Sequence, residues 1–355
     1  MKNYIYGAGI YGKAILSVAE ENIDLFIDKY SQQGSFNKTP IVQLSRDLDK
    51  NATVYIALSD TYIEPLVVKQ LTEFGFTNLI GLNDTLKKFP DAVDLILQDI
   101  IWFVDDKNKL LDKGKIQQVR GLLSDEKSLV VIDRISEFRE NPSVSSYVEP
   151  DLDRHYFPKD IEWKDKIDNI NFVDGGAFTG DTIHSLMEIS KEIGKEVDSV
   201  TCFEPDIMNR VKLVASLATL SNRIEKSFIF PCGLWSEDKV LRFNSGIGSC
   251  SNVTSSESGD YIMGVSIDTA LLSSKPNFIK MDIEGSEIDA ILGARKTIRD
   301  RSPILAIAIY HKPDDLWNIP LLINEINPNY DMHIRVYGSF LQELVLYCIP
   351  KHKKK

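Results

Sequence analysis

The chain of 355 residues is 43% hydrophobic and 26% charged, with a formal net charge of −11, which is the make-up of a globular protein long enough for two cores. That charge repels nucleic acid and anionic lipid over most of the surface, and the basic tail KHKKK at 351–355 reads as a solvated terminus. No apolar run is long enough to span a bilayer and MKNYIYGAG runs straight into a strand, so a cytoplasmic protein with no membrane span is expected.

Residues 1–88 alternate strands and helices. NYIYG, IDLFID, TVYIALS and TNLIGL read as strands, with GKAILSVAEEN and EPLVVKQLTEFG as helices between them. That alternation predicts a small, doubly wound parallel sheet. Within it, IYGAGIYGKA places Gly7, Gly9 and Gly12 between the first strand and its helix, and Asp28 closes the second strand. This is the spacing of a dinucleotide-binding loop and its ribose-binding acid. It marks a candidate nucleotide site and an alternative function, an NAD-dependent nucleotide-sugar oxidoreductase or epimerase. The unit is short for a full two-half dinucleotide domain, and nothing downstream looks like a hydride-transfer site.

Residues 89–155 change character. DAVDLILQDIIWFVDDKNKLLD and KIQQVRGLLSDEKSLVVIDRISEFREN carry apolar residues at helical spacing and predict a helical connector, although SLVVID also reads as a strand.

Residues 156–355 form the second alternating region. Its expected strands are NINFVDGG, SVTCFEP, KSFIFPCGLW, NFIKMDIEG, PILAIAIYH, HIRVYG and ELVLYCIP, the last two as a hairpin. NFVDGGAFTGDT ends an apolar strand at Asp174 and turns through Gly175, Gly176 and Gly180 into a helix. The next strand ends at Glu204, a carboxylate suited to a ribose diol or else a solvated strand end. In FIKMDIEGSEIDAILGARKTI, Lys280, Asp282 and Glu284 recur at period two and are expected on one face of a central strand, where something must compensate for them. Gly285 then turns the chain, and Ser286 or Glu287 starts a helix. The strand PILAIAIYH ends at Tyr310 and His311. His311 is either a structural histidine or a general base beside Asp282 and Glu284. The same three side chains form a candidate site for a divalent metal such as Mg²⁺ or Mn²⁺. Asp268 in VSIDTALL is expected to cap its own helix. Cys202, Cys232, Cys250 and Cys348 show no C-x-x-C pair and no close histidines, so reduced thiols are expected.

Asp174, Gly176, Gly180 and Glu204 resemble the S-adenosylmethionine loop of seven-stranded methyltransferases. FVDGGAFTGDT, CFEPD, VSIDTAL, FIKMDIEGSEIDAILGARKTI and LAIAIYHKPDDLW together resemble, in order, the FkbM family of S-adenosylmethionine-dependent methyltransferases. The resemblance covers roughly the C-terminal half. It implies a seven-stranded Rossmann-like methyltransferase domain and O-methylation of a hydroxyl on a sugar, nucleotide-sugar or glycan. It further implies a cofactor site at Asp174, Gly175, Gly176, Gly180 and Glu204, with Tyr156 and Phe157 either closing over it or packing a connector on the core. It places adenine near Cys232–Trp235 and pocket lining in GSCSNV, 248–253. Acceptor specificity is expected in 244–262 and 312–320. The N-terminal region resembles the small Rossmann-like domains of nucleotide-sugar N-acetyltransferases, which implies either a nucleotide site or a dimerising remnant. A homo-oligomer is left open.

Overall fold

The computed structural model describes residues 2–19, 22–59, 63–104, 111–246, 251–254 and 259–351. The backbone divides into two compact units: Met1–Leu111, Val130–Leu152 and Val336–Glu343 in the first, and Asp112–Leu129, Asp153–Arg335 and Leu344–Lys355 in the second. Among the described residues no helix is long and apolar enough to cross a membrane.

The first unit contains β1 (Asn3–Tyr6), α1 (Ile10–Val18), β2 (Leu25–Ile27), β3 (Ser35–Phe36), β4 (Thr39–Val42), β5 (Thr53–Ile56), α2 (Ile63–Glu73), β6 (Asn78–Ile80), α3 (Leu82–Lys88), α4 (Ala92–Leu97) and α5 (Ile101–Val104). Its sheet runs β3-β4-β2-β1-β5-β6 and is parallel except at β3. Tyr4, Ile27, Val54, Ile56, Leu71 and Phe76 form its buried apolar core. The four strands expected here are present. The β3–β4 hairpin was not legible, because Pro40 lies in β4 and proline argues against a strand. Asn37 and Lys38 make its turn, both with positive φ (47° and 70°).

The region 89–155 is helical but is shared between the units. After α6 (Lys113–Arg120), helix α7 (Glu126–Glu140) absorbs SLVVID, which is therefore helix. The stretch ahead of α7 and its first turn belong to the second unit for an electrostatic reason. Buried Arg335 donates to Asp125 Oδ2 at 2.7 Å and to Asp160 Oδ2 at 3.0 Å, and Ile334 N donates to Ser128 Oγ at 2.9 Å. Later residues belong to the first unit through aromatic packing: Phe138 and Tyr147 lie against Phe340, whose carbonyl accepts from Trp102 Nε1 at 2.7 Å.

The second unit contains β7 (Ile170–Gly175), α8 (Asp181–Ile193), β8 (Val197–Phe203), α9 (Ile207–Leu220), β9 (Lys226–Phe230), β10 (Cys232–Leu234), β11 (Lys239–Asn244), β12 (Asn252–Val253), β13 (Asp260–Val265), α10 (Ile267–Ala270), β14 (Phe278–Met281), α11 (Glu287–Gly293), α12 (Arg295–Arg301), β15 (Ile304–Ala308), α13 (Asp315–Ile326), β16 (Tyr330–Val336) and β17 (Leu344–Pro350). The main sheet is seven-stranded, in the order β16-β17-β15-β14-β7-β8-β9, parallel from β15 to β9 and antiparallel between β15 and β17. As expected, β16 and β17 stand side by side. A second sheet, β10-β13-β11-β12, was not foreseen. KSFIFPCGLW was expected as one strand, but Pro231, which has no N–H to give to a ladder, splits it. β9 pairs with β8 in the main sheet and β10 with β13 in the small one.

One smaller expectation is corrected and one alternative is resolved. Ser266 caps α10 through Thr269 N, whereas Asp268 accepts from Lys296 N and Thr297 N and so caps α12 from outside that helix. Phe157 makes ring contacts with Trp163, Phe172 and Phe278 in the core, so it is a packing residue. Cys202, Cys232 and Cys348 are free thiols. Cys250, the first three residues of GSCSNV and the tail after Lys351 lie outside the described residues.

Candidate active site

The glycine loop of the second unit hangs from the carboxyl end of β7. Parallel pairing places Lys280 of β14 beside Asp174 of β7. Lys280 Nζ lies 3.0 Å from Asp174 Oδ1 and donates to the carbonyls of Gly175 at 3.2 Å and Gly176 at 2.8 Å. Both side chains are buried. Burial disfavours the Lys280 charge, but Asp174 and Asp282 outweigh it and raise its pKa. Burial pushes Asp174 up to about 6 while Lys280 pulls it back. Asp174 Oδ2 accepts no hydrogen bond. Gly176 is required sterically: its φ is +72°, and a Cβ there would stand 1.9 Å from the Asp282 carbonyl oxygen. The loop and the end of β14 can approach this closely only through glycine.

Glu204 follows β8. Its Oε2 accepts from Phe178 N at 2.9 Å and its Oε1 from Asp206 N at 2.8 Å. Burial raises its pKa and those amides oppose the rise. The Asn209 side chain also hydrogen-bonds this carboxylate, which leaves part of its lone-pair capacity for a ligand. Asp206, to which the sequence assigned no role, caps α9 through Met208 N and Asn209 N. Its other oxygen accepts from Gly246 N at 2.7 Å and Ser251 Oγ at 3.2 Å, tying these two residues to the start of α9. Cys232–Leu234 form a strand, and the strands Lys239–Asn244 and Asp260–Val265 reach into the two ends of the 244–262 segment expected to set specificity.

Asp282, Glu284 and His311 converge, but not by strand alternation. β14 ends at Met281, and Lys280 is spent on Asp174. Glu284 adopts φ +54° and Gly285 φ +89°, turning the chain back after the strand. His311 lies three residues past β15, the neighbour of β14 in the sheet. Its Nε2 is 3.4 Å from Asp282 Oδ1 and 3.4 Å from Glu284 Oε2. Its Nδ1 is 3.0 Å from Glu287 Oε1, and that same oxygen accepts from Ile283 N at 2.8 Å. Glu287 is fully buried and was expected only as a helix start. Position by position, the group behind the imidazole is Glu287, and Asp282 and Glu284 face its outer nitrogen. Asp282 also accepts from Tyr156 OH at 2.7 Å and Tyr310 OH at 3.5 Å. Burial alone would keep His311 neutral, but Glu287, Glu284 and Asp282 outweigh burial and raise its pKa well above 6.5. Burial opposes the Asp282 charge, and Lys280 and His311 overcome it to lower that pKa. Burial and the nearby Glu287 carboxylate raise Asp315 to about 7.

Tyr156 thus meets the cluster through its hydroxyl. Its ring lies 5.2 Å from Lys280 Nζ and stacks at 3.8 Å on His155, whose pKa burial lowers to about 3.

The loop of the first unit has different surroundings. Gly7 has φ +101°, and a Cβ on Gly12 would lie 2.0 Å from the Gly7 carbonyl oxygen. A Cβ on Gly9, which begins α1, would meet open space. Asp28 accepts from Ala8 N at 2.8 Å on one oxygen, and from Tyr30 N at 2.7 Å and Ser31 N at 2.8 Å on the other. Burial opposes its charge, and these amides outweigh it and lower its pKa. Asp28 therefore ties down its own loop.

Residues 174–341 match the family model for the methyltransferase FkbM domain. The fold is similar to the crystal structure of methyltransferase FkbM from Methylobacillus flagellatus, with a TM-score of 0.61 at 22% identity, over 98% of this chain and 89% of that one. At that identity the likeness shows the fold, including that of the first unit. No curated protein matches the chain.

Proposed function

We propose, from the premise that residues 174–341 of this chain are a methyltransferase domain of the FkbM kind, that the protein transfers the methyl group of S-adenosylmethionine to a hydroxyl of a sugar, nucleotide-sugar or glycan. One observation carries the reading. A glycine loop with two buried carboxylates, Asp174 and Glu204, shares a sheet edge with a carboxylate–imidazole cluster at the ends of the adjoining strands.

The residues present fit the cofactor. Asp174 Oδ2 is a buried acceptor with no donor, matched to a ligand ammonium. Glu204 retains lone-pair capacity for a ribose diol beyond what its two amides and the Asn209 side chain use. Tyr156 stands at the junction of loop and cluster. S-adenosylmethionine supplies a methyl group already activated on a sulfonium.

Transfer forms an O–CH₃ bond and breaks an S–CH₃ bond. The electron pair stays on sulfur, and one proton must leave the acceptor oxygen. The chain has to hold that oxygen in line and remove its hold on the proton. Asp282, Glu284 and His311 are the groups proposed for this. His311 serves as a base when Nε2 is free of its own proton, with Glu287 fixing the ring from behind. A divalent cation on the same three side chains is the second route to an activated hydroxyl, and the equal 3.4 Å spacings around Nε2 favour it.

For the first unit we propose that Gly7, Gly9 and Gly12 hold the nucleotide part of an activated sugar. The open space beside Gly9 supports this. Free thiols at Cys202, Cys232 and Cys348 agree with a reducing, cytoplasmic setting.

Calorimetric titration with S-adenosylhomocysteine tests the reading. Binding is expected, weakened about ten-fold or more by Glu204→Ala, the cost of removing a buried charged acceptor. Binding of NAD⁺ in place of S-adenosylhomocysteine would move the chemistry to the first unit and overturn it.

A further inference from the structure

We infer that Asp282, Glu284 and His311 form a binding site for one divalent cation of the Mn²⁺ or Mg²⁺ class. The part this cation plays in activating the acceptor hydroxyl rests on the methyltransferase reading; its binding does not.

The argument starts at the imidazole. His311 is 4% exposed, and its Nε2 has no hydrogen-bond partner. That nitrogen is aimed between two carboxylates, and at 3.4 Å from each it is beyond a good N–H···O⁻ contact. One ligand atom from each of Asp282, Glu284 and His311 falls within 4.8 Å of the others. Adjacent ligands in an octahedral shell with bonds of about 2.1–2.4 Å are about 3.0–3.4 Å apart. The spacing at Nε2 fits that edge, whereas a protonated ring settling on one carboxylate would close to about 2.8 Å.

The orientation of the ring points the same way. A metal-binding imidazole usually gives its other N–H to a carboxylate, which fixes the tautomer. Glu287 Oε1 is the carboxylate oxygen placed for this, 3.0 Å from Nδ1, and it is itself held by Ile283 N. The neutral tautomer with its proton on Nδ1 leaves the Nε2 lone pair facing Asp282 and Glu284.

Charge balance supplies a third reason. Three carboxylates, Asp282, Glu284 and Glu287, surround one imidazole. The nearby Lys280 is committed to Asp174 and two loop carbonyls. Like charges gathered in a poorly hydrated pocket repel strongly unless a cation sits among them. Asp282 and Glu284 keep 21% of their side chains exposed, so an ion can reach them from solvent. Two oxygens and one imidazole nitrogen suit a hard divalent ion that tolerates nitrogen, and they leave shell positions for water and an acceptor hydroxyl. An alkoxide forming on that hydroxyl would be stabilised where Tyr156 and Tyr310 already orient Asp282.

The test is titration of the metal-stripped full chain with Mn²⁺ alone, followed by the EPR signal of the free ion. One site per chain is expected, with pulsed EPR showing nitrogen coupling to the bound ion. Glu284→Gln should weaken binding about ten-fold or more, and His311→Gln should abolish the nitrogen coupling. Metal-free variants should unfold within a few degrees of the native chain; if one fails to fold, the nitrogen coupling in the native chain decides. No Mn²⁺ binding, or binding without nitrogen coupling, overturns the site. S-adenosylhomocysteine titrated into the same metal-free chain separates the two readings. Binding of S-adenosylhomocysteine by a chain that takes up no Mn²⁺ would overturn the cation site and leave the methyltransferase standing, and Mn²⁺ uptake by a chain that binds no S-adenosylhomocysteine would do the reverse.

Discussion

The protein carries two glycine loops with the same local grammar, strand, glycines, helix, then an acid closing the next strand, and they have different fates. In the first unit the acid is absorbed by its own loop, since Asp28 accepts three backbone amides from Ala8, Tyr30 and Ser31. In the second, Glu204 accepts two backbone amides and the Asn209 side chain, and the loop is tied from the neighbouring strand by Lys280. Beside the second loop, titratable side chains gather at the next strand ends, where Glu284, Glu287 and Asp282 surround His311. A fingerprint specifies a loop conformation; the strands packed beside the loop decide whether it becomes a reaction site.

The comparison can be broken most directly at His311. His311→Ala should lower methyl transfer about 10²–10⁴-fold while S-adenosylhomocysteine affinity stays near native. The readout is S-adenosylhomocysteine released from S-adenosylmethionine across a panel of nucleotide sugars and oligosaccharides. Full turnover in the variant would take the chemistry away from this cluster. Lys280→Met should cost about 3–5 kcal/mol by denaturant unfolding, because Asp174 would be left as an unpaired buried charge; a loss below about 1 kcal/mol would mean that the loop does not depend on Lys280.

The smallest effect belongs to the first loop. Asp28→Asn should cost about 1 kcal/mol at neutral pH, the size of a lost helix cap, and leave methyl transfer within about two-fold of native. The two acids should also respond to pH with opposite sign. Asp28 has a folded pKa below its ordinary 3.8, so its contribution is present above that value and is lost as pH falls through the folded one. Glu204 has a folded pKa above its ordinary 4.5, so its contribution is present below that value and is lost as pH rises through the folded one. The unfolding penalty of Asp28→Asn should therefore shrink on acidification toward about pH 3, and that of Glu204→Gln should shrink on raising pH from about 4 to 7. Parallel slopes would show that the two loops hold their acids alike.

The residues explain which features could be read early. NFVDGGAFTGDT announced its strand, turn and helix because glycines and apolar periodicity are local signals. Glu287 could not be recognised as the partner of His311, because a Glu opening a helix has a sufficient local reason in the helix dipole. Lys280 looked like one member of a polar strand face. Its bond to Asp174 depends on β14 pairing with β7, elements more than a hundred residues apart in the chain. The split of 89–155 was equally hidden. Helical spacing locates α6 and α7, but which unit each part joins is decided by Arg335 and Phe340, some two hundred residues later.

By itself the sequence determined the succession of strands and helices, both glycine loops and the candidate acids and histidine, because backbone propensity and hydrophobic period act over a few residues. The tertiary structure alone decided that Asp282, Glu284, Glu287 and His311 meet, that Lys280 belongs to the loop, and that Asp28 is committed to its own turn. Those outcomes depend on strand register and on which buried charges find partners, and both are settled only when distant segments pack.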